Sequence, residues 1–135
     1  MFDFEKFQVY QVVREQNKKI LSFIYENQQK LDPFIADQLK RASLNSVLYF
    51  VEGTGKRNSM ERRQLFSNAR SSVFACTTIL QIIKDQGLID EDSYNDYYQG
   101  LEKASKMLLG MFKPKRRVST YNQANFNQNN YQQTI

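Results

Sequence analysis

The chain of 135 residues has no histidine and a single cysteine, Cys76. Lacking histidine, it lacks the commonest metal ligand and the usual general base near neutral pH. One cysteine cannot close a disulfide within the chain, which suits a reducing compartment. Neither device is needed for stability, because a domain of this length buries roughly two thirds of its unfolded surface. No stretch has the ~20 uninterrupted apolar residues of a membrane span. No run of strand-like alternation competes with helical spacing, and no internal repeat is present. The start carries the acids Asp3 and Glu5 among aromatics, unlike the basic opening of a signal peptide. These absences point to a cytoplasmic protein that is not an enzyme, with no cofactor, no metal and no membrane contact.

What the sequence does have is helical periodicity and uneven charge. Val9, Val13, Ile20, Ile24 and Leu31 recur at near-helical spacing and predict a first helix from about Phe4 to Gln29, interrupted by the polar pair Gln16-Asn17. Asp32-Pro33 separates it from a second helix. That helix has one face of Ile35, Leu39, Ala42, Ser46 and Tyr49, and a second of Leu44, Val47, Leu48 and Val51. One bundle stripe does not cover both faces, so the second predicts a contact between copies of the chain. Gly53 or Gly55 should end this helix in a left-handed cap. Asn58 and Glu61 match a capping box for a third helix, with Phe66, Ala69, Val73, Cys76, Leu80 and Ile83 as its seam. Gly87 stops it. Asp90, Glu91 and Asp92 suit the positive start of a fourth helix, whose seam is Tyr94, Tyr97, Leu101, Ala104, Leu108 and Met111. Heptad-like seams joined by short glycine turns predict an all-α, antiparallel up-down four-helix bundle over residues 1–112. Residues 113–135, basic and then rich in Asn and Gln, form a tail expected to be disordered or loosely docked.

Several motifs have a plain structural reading. EGTGKRNS resembles part of a phosphate-binding loop, but Phe50 stands where the first glycine belongs and Arg57 where Ser or Thr belongs. A helix cap and turn fits it better. Cys76 lies on the third helix's apolar seam, where it packs as a small hydrophobe. The acids Asp90, Glu91, Asp92 and Asp96 lack the glycine and final glutamate of a calcium loop. Glu52, if buried, would need Arg41, Arg57 or Arg70 as a partner.

The net charge of +5 rests largely on Lys113, Lys115, Arg116 and Arg117, since residues 1–112 are nearly neutral. Within them, Lys40, Arg41, Lys56, Arg57, Arg62, Arg63 and Arg70 form a basic set, and residues 85–96 are acidic. The basic set is the candidate nucleic-acid surface. Its alternative is pairing with acids of a neighbouring helix or subunit, which would make the protein an interaction scaffold. Tyr121, Phe126 and Tyr131 of the tail could add stacking.

Certain pieces carry a family resemblance: FEKFQVYQ, then QLKRA at 38–42, Glu52-Gly53 with Arg57, Phe66, Ala69-Arg70 with Ser72, and Gly87-Leu88-Ile89. Over residues 4–112 the chain resembles the bacterial four-helix-bundle proteins encoded in intervening sequences of 23S ribosomal RNA genes. These look related to the accessory variability determinant of diversity-generating retroelements. The chain departs from the family pattern at Val47, Tyr49, Ser71 and Ala75. The resemblance implies a ring-like homopentamer and, for the retroelement relatives, a basic surface that engages nucleic acid (RNA or DNA) and a reverse transcriptase.

Overall fold

The computed structural model describes residues 1–112; the tail, and the expectations placed on it, lie outside the described residues. A short 3-10 turn, Asp3–Lys6, precedes four helices: α1 Gln8–Glu26, α2 Pro33–Thr54, α3 Ser59–Asp85 and α4 Glu91–Phe112. Each helix packs on the two next to it around the bundle, and the backbones of diagonal helices stay apart. Short connections force consecutive helices antiparallel, so the bundle is up-down. No strand occurs among the described residues.

The predicted seams of α3 and α4 lie in the core. Phe66, Ala69, Val73, Cys76, Leu80 and Ile83 are all buried, as are Tyr94, Leu101, Ala104 and Leu108, while Tyr97 and Met111 pack at its margin. Phe50, absent from both predicted faces of α2, is fully buried and stacks on Phe66 at 5.5 Å between ring centres. α1 buries Val9, Val13, Ile20, Phe23 and Ile24 against its neighbours and adds polar ties. Asn17 Nδ2 donates to Ser43 Oγ of α2 at 2.8 Å, and the buried Gln16 side chain lies directly over Gly100 of α4. The Gln16 Oε1 atom has no protein partner.

Two boundaries differ from the sequence reading. The first helix does not run unbroken from Phe4 to Gln29. Phe7 is extended (φ −79°, ψ 132°) and its ring, still 37% exposed, meets Phe50 edge-on at 5.7 Å, so the chain turns there to lay that ring against the core. At the far end Asn27 Nδ2 donates to the Phe23 carbonyl, ending α1 at Glu26. Gly55 caps α2 with φ −86°, not in the left-handed region. Gly55 N–H and Lys56 N–H donate back to the carbonyls of Glu52 and Gly53, closing the turn with right-handed geometry. The left-handed glycine is Gly87 (φ 73°). There Leu88 N–H reaches the Ile83 carbonyl and Gly87 N–H the Lys84 carbonyl, a Schellman motif.

The helix starts follow the expected chemistry. The Asp32 carboxylate accepts from Phe34 N–H and Ile35 N–H, with Pro33 in the first helical position. Asn58 Oδ1 accepts from Met60 N–H and Glu61 N–H. Asp90 accepts from both the backbone N–H and the hydroxyl of Ser93, which holds its carboxyl below the usual carboxylate range.

Candidate nucleic-acid interface

The up-down topology sorts charge to the two ends of the bundle. The α2–α3 turn holds Lys56 and Arg57, and the first turns of α3 add Arg62 and Arg63. The N-terminal turn and the end of α4 lie at this same end. A cavity of about 540 Å³ there is lined by Asp3, Lys6, Phe7, Thr54, Arg62, Phe66 and Met111. The chain therefore leaves the described bundle, at Phe112, beside the basic turn, and the next residues in sequence are KPKRR. The acidic stretch 85–92 lies at the opposite end, separated by the length of α3. At 1.5 Å per residue its 27 residues span about 40 Å.

This separation answers one question left open by the sequence: within one chain, the acids at 85–92 do not neutralise the turn at 56–63. Those acids meet lysines at their own end, such as Glu91 with Lys84 at 3.3 Å. One turn and more into α4, Asp96 pairs with Lys19 at 3.1 Å. Lys56, Arg57 and Arg63 are exposed and have no ion pair among the described residues. Acids do share the basic end: Asp3, Glu5, Glu52 and Glu61. Glu52 is exposed and makes no ion pair among the described residues, so it needs no buried partner. The described part of this end is thus close to balanced, and the excess comes from the residues that follow Phe112.

The seven basic residues do not form one patch. Arg62, though exposed, folds back on the turn, its Nη2 and Nε donating to the Lys56 carbonyl at 2.7 and 3.2 Å, and so braces it. Lys40 and Arg41 lie on α2 well away from the turn. Arg41 Nε is held by Asp37 Oδ2 at 2.8 Å, and that hydrogen bond and charge raise its pKa. Arg70 is half-buried: its Nε donates to the carbonyl and hydroxyl oxygens of Ser105 on α4, and its guanidinium covers the Phe74 ring at 4.7 Å. Burial lowers its pKa. Arg70 thereby links α3 to α4. Lys6 joins the basic end without having been singled out in the sequence. The signal was topological, since nothing in its neighbourhood marks it as lying beside Arg62.

The four apolar residues assigned to subunit contact also divide. Leu44 and Leu48 are about half exposed, whereas Val47 and Val51 rest partly against the core. Leu21, one turn beyond Asn17 on α1, is also exposed.

For chemistry the bundle offers little. Among the described residues no group of three or more His, Cys, Asp or Glu could hold a metal ion. Cys76 is buried and its thiol is pushed up to about 12, the wrong direction for a nucleophile. The GTGKR turn spends the N–H groups of Gly55 and Lys56 on α2 carbonyls, so they cannot cradle a phosphate. No helix among the described residues is long and apolar enough to cross a membrane.

A four-helix up-down bundle of this length, held by uncharged seams, defines a class of small helical proteins, here with no catalytic constellation among the described residues. The chain belongs to the 23S rRNA-intervening sequence protein family, which it matches over residues 5–110. Its fold is similar to that of a protein of unknown function from the S23 ribosomal protein family of Bacteroides thetaiotaomicron VPI-5482. The TM-score is 0.72 at 14% identity, covering 78% of this chain and 99% of that one. No curated protein matches the chain.

Proposed function

We propose that the protein is a non-enzymatic, oligomeric helical bundle that binds nucleic acid with its basic end. The observation that carries this reading is the convergence of the exposed Lys56, Arg57 and Arg63 with the root of the KPKRR segment, about 40 Å from the acidic turn. In a ring of parallel copies these ends would lie around one axis. A modest charge per chain would then become a strong local field. The exposed Leu44 and Leu48 are the apolar surface such a ring would cover, and five copies is the number the family resemblance implies. Contacts of this kind go to phosphates, so binding should be weakly sequence-specific and fall steeply with salt.

The test combines sedimentation with binding to single- and double-stranded RNA and DNA over a salt series. An oligomer whose affinity drops with salt supports the reading. An oligomer that binds none of the four ligands overturns it and favours an interaction scaffold, for which the exposed face of α2 is the motivating feature. A reverse transcriptase is the partner the resemblance suggests for such a scaffold. A monomer overturns the assembly argument.

A further inference from the structure

At the basic end, the first residues of the chain form a ladder of rings. Phe2 and Phe4 stack nearly parallel, 5.5 Å apart with 12° between their planes. Phe4 meets Tyr10 edge-on at 5.1 Å, and the Arg14 guanidinium lies 5.7 Å from the centre of the Tyr10 ring. The ladder descends from solvent towards α1. Phe2 is 71% exposed, Phe4 and Tyr10 half-buried. The outermost ring is not a loose end. Phe2 N–H donates to Glu5 Oε1 at 3.1 Å, Glu5 N–H donates to the Phe2 carbonyl at 3.1 Å, and Gln11 Nε2 ties the Glu5 carbonyl to α1.

A large aromatic face held open to water is costly to leave uncovered, and the ladder's own geometry says what shape covers it: a flat ring stacked on Phe2. Its charge surroundings say which flat ring. Lys6, four positions on, lines the end cavity with Arg62, and Lys56, Arg57 and Arg63 stand on the turn at the same end of the bundle. Asp3 also lines that cavity, paired with Lys6 at 3.4 Å, and Glu5, Glu52 and Glu61 share this end, Glu5 engaged by the Phe2 N–H. A planar group attached to a polyanion satisfies both features, and that is an unpaired nucleotide. A duplex offers its phosphates to the cations but keeps its base faces inside the stack. We infer that the Phe2–Phe4–Tyr10 ladder is a stacking platform for unpaired bases, so that the nucleic acid taken by the basic end is single-stranded. The inference rests on the nucleic-acid reading above and names its ligand class.

The experiment measures binding of the full chain to oligo(U) and to a long RNA duplex, which has few ends per phosphate, at one low salt concentration. Phe2→Ala should weaken oligo(U) binding by roughly fivefold to a hundredfold, the range for loss of one base–aromatic stack. Duplex binding should stay unchanged, and Phe2→Trp should keep or strengthen oligo(U) binding. Lys56→Glu/Arg57→Glu/Arg63→Glu should weaken both ligands. If Phe2→Ala leaves oligo(U) binding intact, or weakens both ligands alike, the platform is refuted while nucleic-acid binding stands. If the unaltered protein binds neither ligand, the nucleic-acid reading itself fails, and the platform with it. If Phe2→Ala instead changes the sedimentation of the free protein, the ladder is a contact between copies and the inference is wrong.

Discussion

Phe66 of α3 lies against Gly53 of α2 so closely that a β-carbon there would stand 2.6 Å from its Cε1 atom and 2.8 Å from Cδ1. Both are among the residues that carry the family resemblance, and their contact gives that pairing a physical reason. Gly53 is buried within α2, where its absent side chain is what lets the Phe50–Phe66 stack close. Gly53→Ala should therefore cost about 1–3 kcal/mol through overpacking. Urea denaturation checks this. In a Phe66→Leu background the same substitution should cost less, because the two sites are in contact.

Leu80, fully buried on the α3 seam, should lose about 2–5 kcal/mol on truncation to Ala, read by the same titration. A loss near zero would mean the seam does not pack as described.

Burial raises the Tyr97 phenol, and two further groups give stability a pH dependence whose sign a substitution can test. Burial raises the Cys76 thiol from 9.0 to about 12, so the folded state resists ionisation that the unfolded chain accepts. Its contribution is whole below about pH 9 and is lost as pH climbs from there towards 12. Cys76→Ala should flatten that alkaline slope relative to the parent. Asp90 works at the other extreme. Its carboxyl is lowered by Ser93, so its contribution is present above the unfolded carboxylate pKa and disappears as acid protonates the folded form. Asp90→Asn should flatten the acid slope of the urea midpoint.

Truncation after Phe112 separates fold from function. Met111 and Phe112 are the last described residues packed against the core, and the charge excess lies beyond them. The shortened chain should keep its thermal midpoint and lose most of its nucleic-acid affinity. A fall of many degrees, or unchanged affinity, would contradict one or the other half of that expectation.

Arg62 is a poor probe of phosphate contact, because reversing it also removes the brace on the Lys56 carbonyl. Arg62→Glu should lower both stability and binding. Arg57→Glu/Arg63→Glu should lower binding and the steepness of its salt dependence while leaving the urea midpoint nearly unchanged.

The bundle was legible in the sequence where one rule decided the outcome. On α3 and α4 one set of apolar residues alternates spacings of 3 and 4 along the whole helix, and every predicted seam residue is buried or packed at the core's margin. On α2 the rule was blurred by apolar residues all round, and Phe50 passed unnoticed although it is the most enclosed ring. The break at Phe7 was illegible because it depends on a distant partner, Phe50. The candidate site was legible in its residue types but not in its arrangement. Arg62 and Arg70 are engaged by the backbone carbonyls of Lys56 and Ser105, acceptors that every residue has and no sequence pattern marks. The meeting of the 56–63 turn with the end of α4 follows from up-down topology, which places residues some fifty positions apart at one end.

With the KPKRR segment that follows Phe112 counted at its end, the molecule is a rod with unlike tips. Such rods attract tip to tip, and that contact is heterologous: each copy uses its positive tip on one neighbour and its negative tip on another, so nothing closes the chain of contacts. Diluting salt lengthens the reach of the attraction from about 10 Å at 0.1 M to about 30 Å at 0.01 M. Low-salt solutions should therefore scatter more light as columns grow, and added salt, or a polyanion seated on the positive tips, should clear them.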